Sequence, residues 1–200
     1  MEKKYARLTA AVVAVALSMS FVLLAAGPVW AQDGQQEREG GDPARDIPPE
    51  LQAKVREYRE AMADLRETAA PMKKELRELK RTFQALFRKA RSMPRDARQE
   101  LRDRIAALKD EYAGAVKDKV AAVKENARAM KEAAAASRDA WEQGDLDGAL
   151  SGLDQAIAKT AELQPLLEEA HQLLEQIVDA LRQIAEEAGA PSASAATLAA

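Results

Sequence analysis

The feature that most constrains the fold is a heptad repeat of apolar residues in the first third of the chain. These residues follow one another at alternating steps of four and three: Leu51, Val55, Tyr58, Met62, Leu65, Ala69, Met72, Leu76, Leu79, Phe83, Leu86 and Ala90. Such spacing places one continuous apolar stripe along one side of an α-helix. Because a single helix cannot bury its own stripe, the segment predicts a bundle with partner helices.

Two further segments can supply those partners. They follow Ser92-Met93-Pro94 and Gln143-Gly144-Asp145, which carry proline and glycine signals for the end of one helix and the start of the next. The predicted helices cover residues 49–92, 94–142 and 145–188. Similar lengths and two short connections predict an all-α fold, an elongated antiparallel three-helix coiled-coil bundle.

The third predicted helix has a wider apolar stripe than the first, as expected of a helix that contacts two neighbours. Its predicted core positions are Leu146, Leu150, Leu153, Ile157, Ala161, Leu163, Leu166, Leu167, Ala170, Leu174, Ile177, Val178, Leu181, Ile184 and Ala188.

Each predicted helix carries an irregularity at a corresponding level of the bundle. Pro71 and Pro165 interrupt the first and third helices, and two successive four-residue steps through Tyr112, Val116 and Val120 interrupt the second. An internal proline removes a backbone hydrogen bond, and four-residue steps unwind a supercoil. We therefore expect a waist at which all three helices bend or unwind together.

The two ends of the sequence differ from the helical region. Residues 1–31 combine basic residues, an apolar run over residues 8–26 and small residues up to Ala31, which predicts a signal peptide and a location outside the cytoplasm. Because the apolar run has the length of a membrane span, an uncleaved anchor is the alternative. Residues 32–48 predict a flexible linker, and residues 189–200 predict a disordered tail.

Composition limits the chemistry of the chain. The sequence has no cysteine and one histidine, His171, so disulfides, thiolate metal sites and cysteine nucleophiles are excluded. It contains no phosphate-binding glycine loop, dinucleotide motif or zinc-binding spacing. We therefore expect a protein that is not an enzyme and that holds no cofactor or metal. The net charge of −3 and the predicted export also argue against nucleic acid as a partner.

A resemblance to a known family covers residues of about 47–125. It rests on Ile47-Pro48-Pro49-Glu50-Leu51, the charged helix that follows, and the segment Pro71-Met72-Lys73-Lys74-Glu75-Leu76-Arg77-Glu78-Leu79. These resemble the Spy/CpxP-like periplasmic proteins, which include the periplasmic heavy-metal sensors. The family's Leu-Thr-x-x-Gln motif is degenerate here, and one histidine does not support histidine-based metal binding. The resemblance implies a small extracytoplasmic helical protein that binds unfolded clients or damps an envelope stress sensor.

Two groups of residues are candidates for binding. On the concave face of a bent bundle, the candidate client-binding residues are Met62, Met72, Phe83, Phe87 and Met130. A basic tip near the first turn, suited to an anionic lipid, polymer or protein, comprises Arg88, Lys89, Arg91, Arg95 and Arg98.

Basic and acidic residues are unevenly distributed along the chain, and this distribution has a second interpretation besides a basic tip. Residues 73–104 carry 12 basic and 5 acidic side chains, or +7, whereas residues 145–187 carry 2 basic and 10 acidic ones, or −8. This pattern also predicts that an acidic third helix docks on the basic first two.

The sequence therefore predicts an exported, non-enzymatic helical binding protein, either chaperone-like or an envelope stress adaptor, with an unfolded client or another protein as its partner. The alternative is a structural coiled-coil spacer, whose stripes pair between chains in a homo-oligomer, or a membrane-anchored stalk. Contact with a membrane is expected only if residues 8–26 are not cleaved.

Overall fold

The computed structural model of the chain describes residues 47–190, which form three α-helices. Helix α1 is Pro49–Ser92, α2 is Arg95–Glu142 and α3 is Leu146–Glu187. No strand occurs in this range, so the predicted all-α three-helix fold is confirmed, and each helix lies within one residue of its predicted bounds. The predicted signal peptide, nearly all of the linker and the tail from residue 191 onward lie outside the described residues.

The described chain divides into two compact units, and every helix contributes a segment to each. The Pro94 unit comprises residues 69–121 and 168–190 and contains the turn between α1 and α2. The Gly144 unit comprises residues 47–68 and 122–167 and contains the turn between α2 and α3.

The boundary between the units crosses each helix close to its sequence irregularity. It lies within three residues of Pro71 in α1, Val120 in α2 and Pro165 in α3. Neither proline ends its helix. Glu67 and Ala161, which lie four residues before the two prolines, are exposed, so water can satisfy the carbonyl that each proline leaves without a donor. The prediction of Ala161 as a core residue is therefore wrong.

In the Gly144 unit, small residues let α2 and α3 approach closely. A Cβ atom added to Gly152 would lie 2.7 Å from the Cβ of Ser137, and one added to Gly148 would lie 3.2 Å from the Cβ of Ala140. Because residue numbers rise on α2 as they fall on α3, these segments are antiparallel. The Ser137 side chain is fully buried, and its hydroxyl donates a 2.6 Å hydrogen bond to the Ala149 carbonyl.

The core of the Gly144 unit combines large residues on α1 with many small ones on the other two helices. It comprises Leu51, Tyr58, Met62 and Leu65 from α1, Val123, Ala127, Met130 and Ala134 from α2, and Ala149, Leu153, Ala156, Leu163 and Leu167 from α3. An ion pair of 2.7 Å between Lys54 and Asp154 joins α1 to α3 at the surface.

The turn at Gly144 matches the predicted stop and start signals. Gly144 has a φ of 82°, a conformation that glycine adopts without the steric penalty of a Cβ atom. Its N–H donates to the Trp141 carbonyl at 3.0 Å, and the Asp145 N–H donates to the Ala140 carbonyl at 2.9 Å. The Asp145 carboxylate then accepts a 2.9 Å hydrogen bond from the Gly148 N–H, so it caps the first turn of α3.

The Pro94 unit is built from larger side chains on α3. Its buried residues are Ala69, Met72, Leu79, Thr82 and Leu86 from α1, Leu101 and Val116 from α2, and Ala170, Leu174, Ile177, Val178, Leu181, Ile184, Ala185 and Ala190 from α3 and the residues that follow it. Three stripe positions of α1, Leu76, Phe83 and Ala90, are only half-buried. Because α1 faces two neighbouring helices, its buried face extends sideways to Thr82.

Ion pairs join the helices of the Pro94 unit at its surface. Arg104 pairs with Glu187 and Lys119 pairs with Glu169, so α2 and α3 are antiparallel here as well. Both pairs place an α3 carboxylate against a basic residue of α2, and Arg104 belongs to the basic segment 73–104 from which this docking was predicted. Since the side chains are about one-third to one-half exposed, each pair contributes at most about 1 kcal/mol.

A further ion pair, between Arg182 on α3 and Glu78 on α1, has the opposite polarity. Two nitrogens of the Arg182 guanidinium, Nε and Nη2, donate to one Glu78 oxygen at 2.7 Å and 2.5 Å. These hydrogen bonds raise the pKa of Arg182. The Glu78 side chain is only 20% exposed, which makes this pair the least solvated of the cross-helix pairs in the unit.

Candidate functional site: the basic-aromatic tip

Three of the predicted client-binding residues lie inside the core. Met62 is 2% exposed, Met72 is 1% exposed and Met130 is not exposed at all. The prediction that these methionines face a client does not fit their burial. The physical reason is that each occupies a heptad position that the other helices of its own unit cover, so it stabilises packing and offers no surface to a partner.

The two phenylalanines of the predicted set differ in exposure. Phe83 lies on the apolar stripe of α1 and is half-buried, whereas the side chain of Phe87 is 37% exposed. Phe87 directly follows the buried Leu86, so it lies about 100° further around the helix and points away from the core. Within residues 47–190, the large apolar residues that are exposed are Phe87 and Ile47, at the start of the described chain.

The turn between α1 and α2 is held by side chains that cap the end of α1. The Ser92 hydroxyl donates to the Lys89 carbonyl at 2.8 Å. The guanidinium of Arg98 reaches back from α2 and donates to the carbonyls of Met93 at 2.9 Å and Arg91 at 3.4 Å. Arg98 is therefore a structural residue of the turn, since it satisfies carbonyls that the end of α1 leaves without a donor.

The structure separates the five predicted basic residues into two groups. Arg88, Arg91 and Arg95 are exposed, whereas Lys89 is half-buried, as is Arg98. A Cβ atom added to Gly189 would lie 3.4 Å from the Lys89 ammonium nitrogen, so this nitrogen lies at the carboxyl end of α3. A cation is stabilised there by the helix dipole, which gives Lys89 a structural role.

One of the exposed arginines contacts the exposed ring. The guanidinium carbon of Arg91 lies 4.9 Å from the centroid of the Phe87 ring, within range of a cation–π interaction. We call Phe87, Arg88, Arg91 and Arg95 the basic-aromatic tip. The sequence named these residues in two separate groups, Phe87 as a client-binding residue and the arginines as a basic tip. It missed the contact between the ring and Arg91, which their spacing of four residues on one helix could have indicated.

The tip is strongly positive. Residues 87–98 carry five basic side chains and one acidic side chain, Asp96, for a net charge of +4. In the part of the chain that the structure describes, the ion pairs involve none of the three tip arginines. Among the described residues, no ion pair therefore offsets their charge.

The single histidine of the chain lies in α3. His171 is half-buried, and its Nε2 atom lies 3.6 Å from a carboxylate oxygen of Glu175. Between residues 47 and 190, no three His, Asp or Glu side chains come together as a candidate metal site. None of the three helices has an apolar stretch long enough to cross a bilayer.

Comparison with known proteins adds no relative. No protein-family model, curated protein or solved structure gives a significant match to the chain. The Spy/CpxP-like resemblance therefore stays a prediction from the sequence segments that suggest it.

Proposed function

We propose that this chain is a non-enzymatic helical binding protein that acts outside the cytoplasm, and that the basic-aromatic tip is its contact surface. The observation that carries the proposal is the exposed Phe87 ring with the Arg91 guanidinium 4.9 Å from its centroid. Phenylalanine and arginine are both enriched in the buried cores of protein interfaces relative to the rest of the protein surface.

The tip provides both an apolar anchor and a means of attraction. Covering the exposed part of a phenylalanine removes apolar surface from water, which favours binding. The positive charge around the ring attracts an anionic partner and raises the rate of encounter. An unfolded client or a protein partner with acidic segments fits these properties, in a chaperone-like or envelope-adaptor role.

The location rests on the sequence. The apolar run over residues 8–26, the basic residues before it and the small residues up to Ala31 support export. Whether the run is cleaved decides between a released protein and an anchored stalk. The mass of the mature N-terminus distinguishes the two.

The spacer alternative receives no support from the described residues. A coiled coil between chains needs an apolar stripe on the surface. In residues 47–190 the large side chains of the stripes are buried or half-buried within each unit, and the exposed large apolar residues are Ile47 and Phe87. We therefore do not carry the spacer forward as a second function.

The test is suppression of the aggregation of a chemically unfolded model protein, measured by light scattering. We expect the wild-type chain to suppress aggregation and Phe87→Ser to lose most of that effect, because the apolar anchor is gone. The matched control is Ile47→Ser, since Ile47 is 39% exposed and Phe87 is 37% exposed.

Circular dichroism establishes that both variants keep their helices. If the wild-type chain fails to suppress aggregation, or if the two variants behave alike, the tip is not a client-binding surface.

A further inference from the structure

The exposed cations of the tip are all arginines. Arg88 and Arg91 lie in the last turns of α1, and Arg95 is the first residue of α2, so the three side chains lie on both sides of one turn. The planar guanidinium forms two parallel hydrogen bonds with a phosphate, which a lysine ammonium cannot do. The chemistry of the cluster therefore suits phosphate groups.

The ring among these cations suits a boundary between polar and apolar surroundings. Phe87 is 37% exposed, and the cation–π contact keeps the Arg91 charge beside it. A phenylalanine beside basic residues is typical of surfaces that lie in the headgroup region of a membrane, with the ring below the phosphates and the cations among them.

Charge is unevenly distributed between the units. Within the described residues, the Pro94 unit has 16 basic and 14 acidic side chains, or +2, and the Gly144 unit has 9 basic and 13 acidic ones, or −4. The +4 of residues 87–98 is the larger part of the +7 of residues 73–104, in a chain whose net charge is −3. Each basic residue near an anionic bilayer strengthens binding about fivefold.

We propose that the basic-aromatic tip docks on an anionic phospholipid bilayer, with the Phe87 ring in the headgroup region and Arg88, Arg91 and Arg95 on the phosphates. The proposal rests on the proposed function in one respect, namely that the tip is the contact surface outside the cytoplasm. It adds a membrane contact that does not depend on residues 8–26.

A bilayer fits the tip better than a folded acidic protein does. A stable protein interface buries about 800 Å² on each partner. The tip offers one exposed ring and three arginines on the two sides of the turn between α1 and α2. Docking on a bilayer requires neither a large interface area nor a complementary pocket. The turn is also held in place by the capping bonds of Ser92 and Arg98, so little conformational freedom is lost on docking.

The experiment uses the full chain and vesicles of phosphatidylglycerol and phosphatidylcholine in equal parts, with pure phosphatidylcholine vesicles for comparison. Because the sequence has no cysteine, one environment-sensitive fluorophore can be placed at Gln84→Cys, one helical turn before Phe87. The reference label is at Ala53→Cys, an exposed position of the Gly144 unit. We expect a blue shift at residue 84 only, with anionic vesicles only, and its loss at high salt.

Two double variants with equal changes in charge make the test specific. Arg88→Gln with Arg95→Gln should weaken the binding measured by the residue 84 label about 25-fold, from the loss of two basic contacts. Arg56→Gln with Lys124→Gln, both exposed in the Gly144 unit, should leave it within about twofold of wild type. Phe87→Ser should reduce the blue shift itself.

Insertion of residues 8–26 into the bilayer would bind the chain to both vesicle types at any salt concentration. It would not make the fluorescence shift at residue 84 differ between the two double variants. Equal shifts in those variants, or no shift at residue 84, would overturn docking on phospholipid. If Phe87→Ser still abolishes suppression of aggregation in that case, the proposed function stands. If neither assay depends on the tip, both proposals fail.

Discussion

The Gly144 unit and the Pro94 unit are parts of the same three helices, yet they pack in different ways. In the Gly144 unit, α2 and α3 approach so closely that a Cβ atom added to Gly152 would lie 2.8 Å from the Ser137 Cα. In the Pro94 unit, branched side chains such as Leu181 and Ile184 fill the core, and ion pairs such as Arg104–Glu187 lie at its surface.

The two units also differ in the hydrogen bonding of their buried hydroxyl groups. In the Gly144 unit, Ser137 donates across to the Ala149 carbonyl at 2.6 Å, and Thr160 donates to the Ala156 carbonyl at 2.9 Å. In the Pro94 unit, the buried Thr82 hydroxyl has no hydrogen-bond partner. A buried polar group without a partner lowers stability, so α1 is less favourably packed at this position.

The difference shows that helix length and heptad spacing do not determine how closely helices approach. Small side chains allow close contact between backbones, so added atoms should lower the free energy of unfolding. Large side chains keep the helices further apart, so removed atoms should lower it. The two units should therefore respond to opposite kinds of substitution.

The largest effect is expected from removing a core side chain of the Pro94 unit. Leu181 is fully buried, so Leu181→Ala should lower the free energy of unfolding by about 3 kcal/mol through lost burial and the cavity left behind. Urea unfolding followed by circular dichroism measures this change. Leu173→Ala, at a half-buried position of the same unit, is the control and should cost less. Equal losses for the two variants would contradict the assignment of Leu181 to the core.

The next effect is expected from adding a single methyl group to the Gly144 unit. Gly152→Ala should lower the free energy of unfolding by about 2 kcal/mol, because its Cβ atom would lie 2.7 to 2.9 Å from atoms of Ser137, including the backbone. Hydrogen exchange followed by mass spectrometry should show the lost protection first in residues 122–167.

The control for Gly152 is the same substitution in the Pro94 unit. A Cβ atom added to Gly114 meets nothing within 4 Å. Gly114→Ala should therefore raise the free energy of unfolding by about 0.5–1 kcal/mol, since alanine favours the helix more than glycine does. If both substitutions stabilise the protein, the close approach of α2 and α3 is not real.

The smallest effect concerns the buried hydroxyl groups. Thr82→Val keeps the branched shape and removes a hydroxyl without a partner, so it should raise the free energy of unfolding by about 1 kcal/mol. Thr160→Val removes a hydroxyl that is bonded at 2.9 Å and should be neutral or lower stability by up to about 1 kcal/mol. Urea midpoints of the two variants test the contrast in sign. A destabilised Thr82→Val variant would mean that the hydroxyl has a partner in solution.

The candidate site was only partly predictable. Phe87 was recognisable because it lies one step off a heptad stripe, and the basic residues were recognisable as a cluster. The separate roles of the basic residues within this cluster were not predictable. Lys89 lies beside Gly189 at the end of α3, and Arg98 bonds the carbonyl of Met93, so their roles depend on contacts that spacing along the chain does not reveal.

By itself, the sequence determined where the helices begin and end. Heptad spacing, Pro94 and the Gly144-Asp145 pair act within a few residues of their own position, through backbone geometry and capping, so no tertiary information was needed. The irregularities at Pro71 and Pro165 likewise lie within three residues of the boundary between the two units.

Only the tertiary structure decided which face of a helix is buried. In the first turns of α3 the sequence predicted Leu146, Leu150 and Ile157 as core residues, but they are half-buried, and Ala149, Gly152 and Ala156 occupy the core instead. Periodicity cannot distinguish two adjacent stripes of one helix when both are apolar. The partner helices determine which stripe is buried, because the stripe of small residues allows a close backbone contact with Ser137 that the stripe of larger residues would prevent.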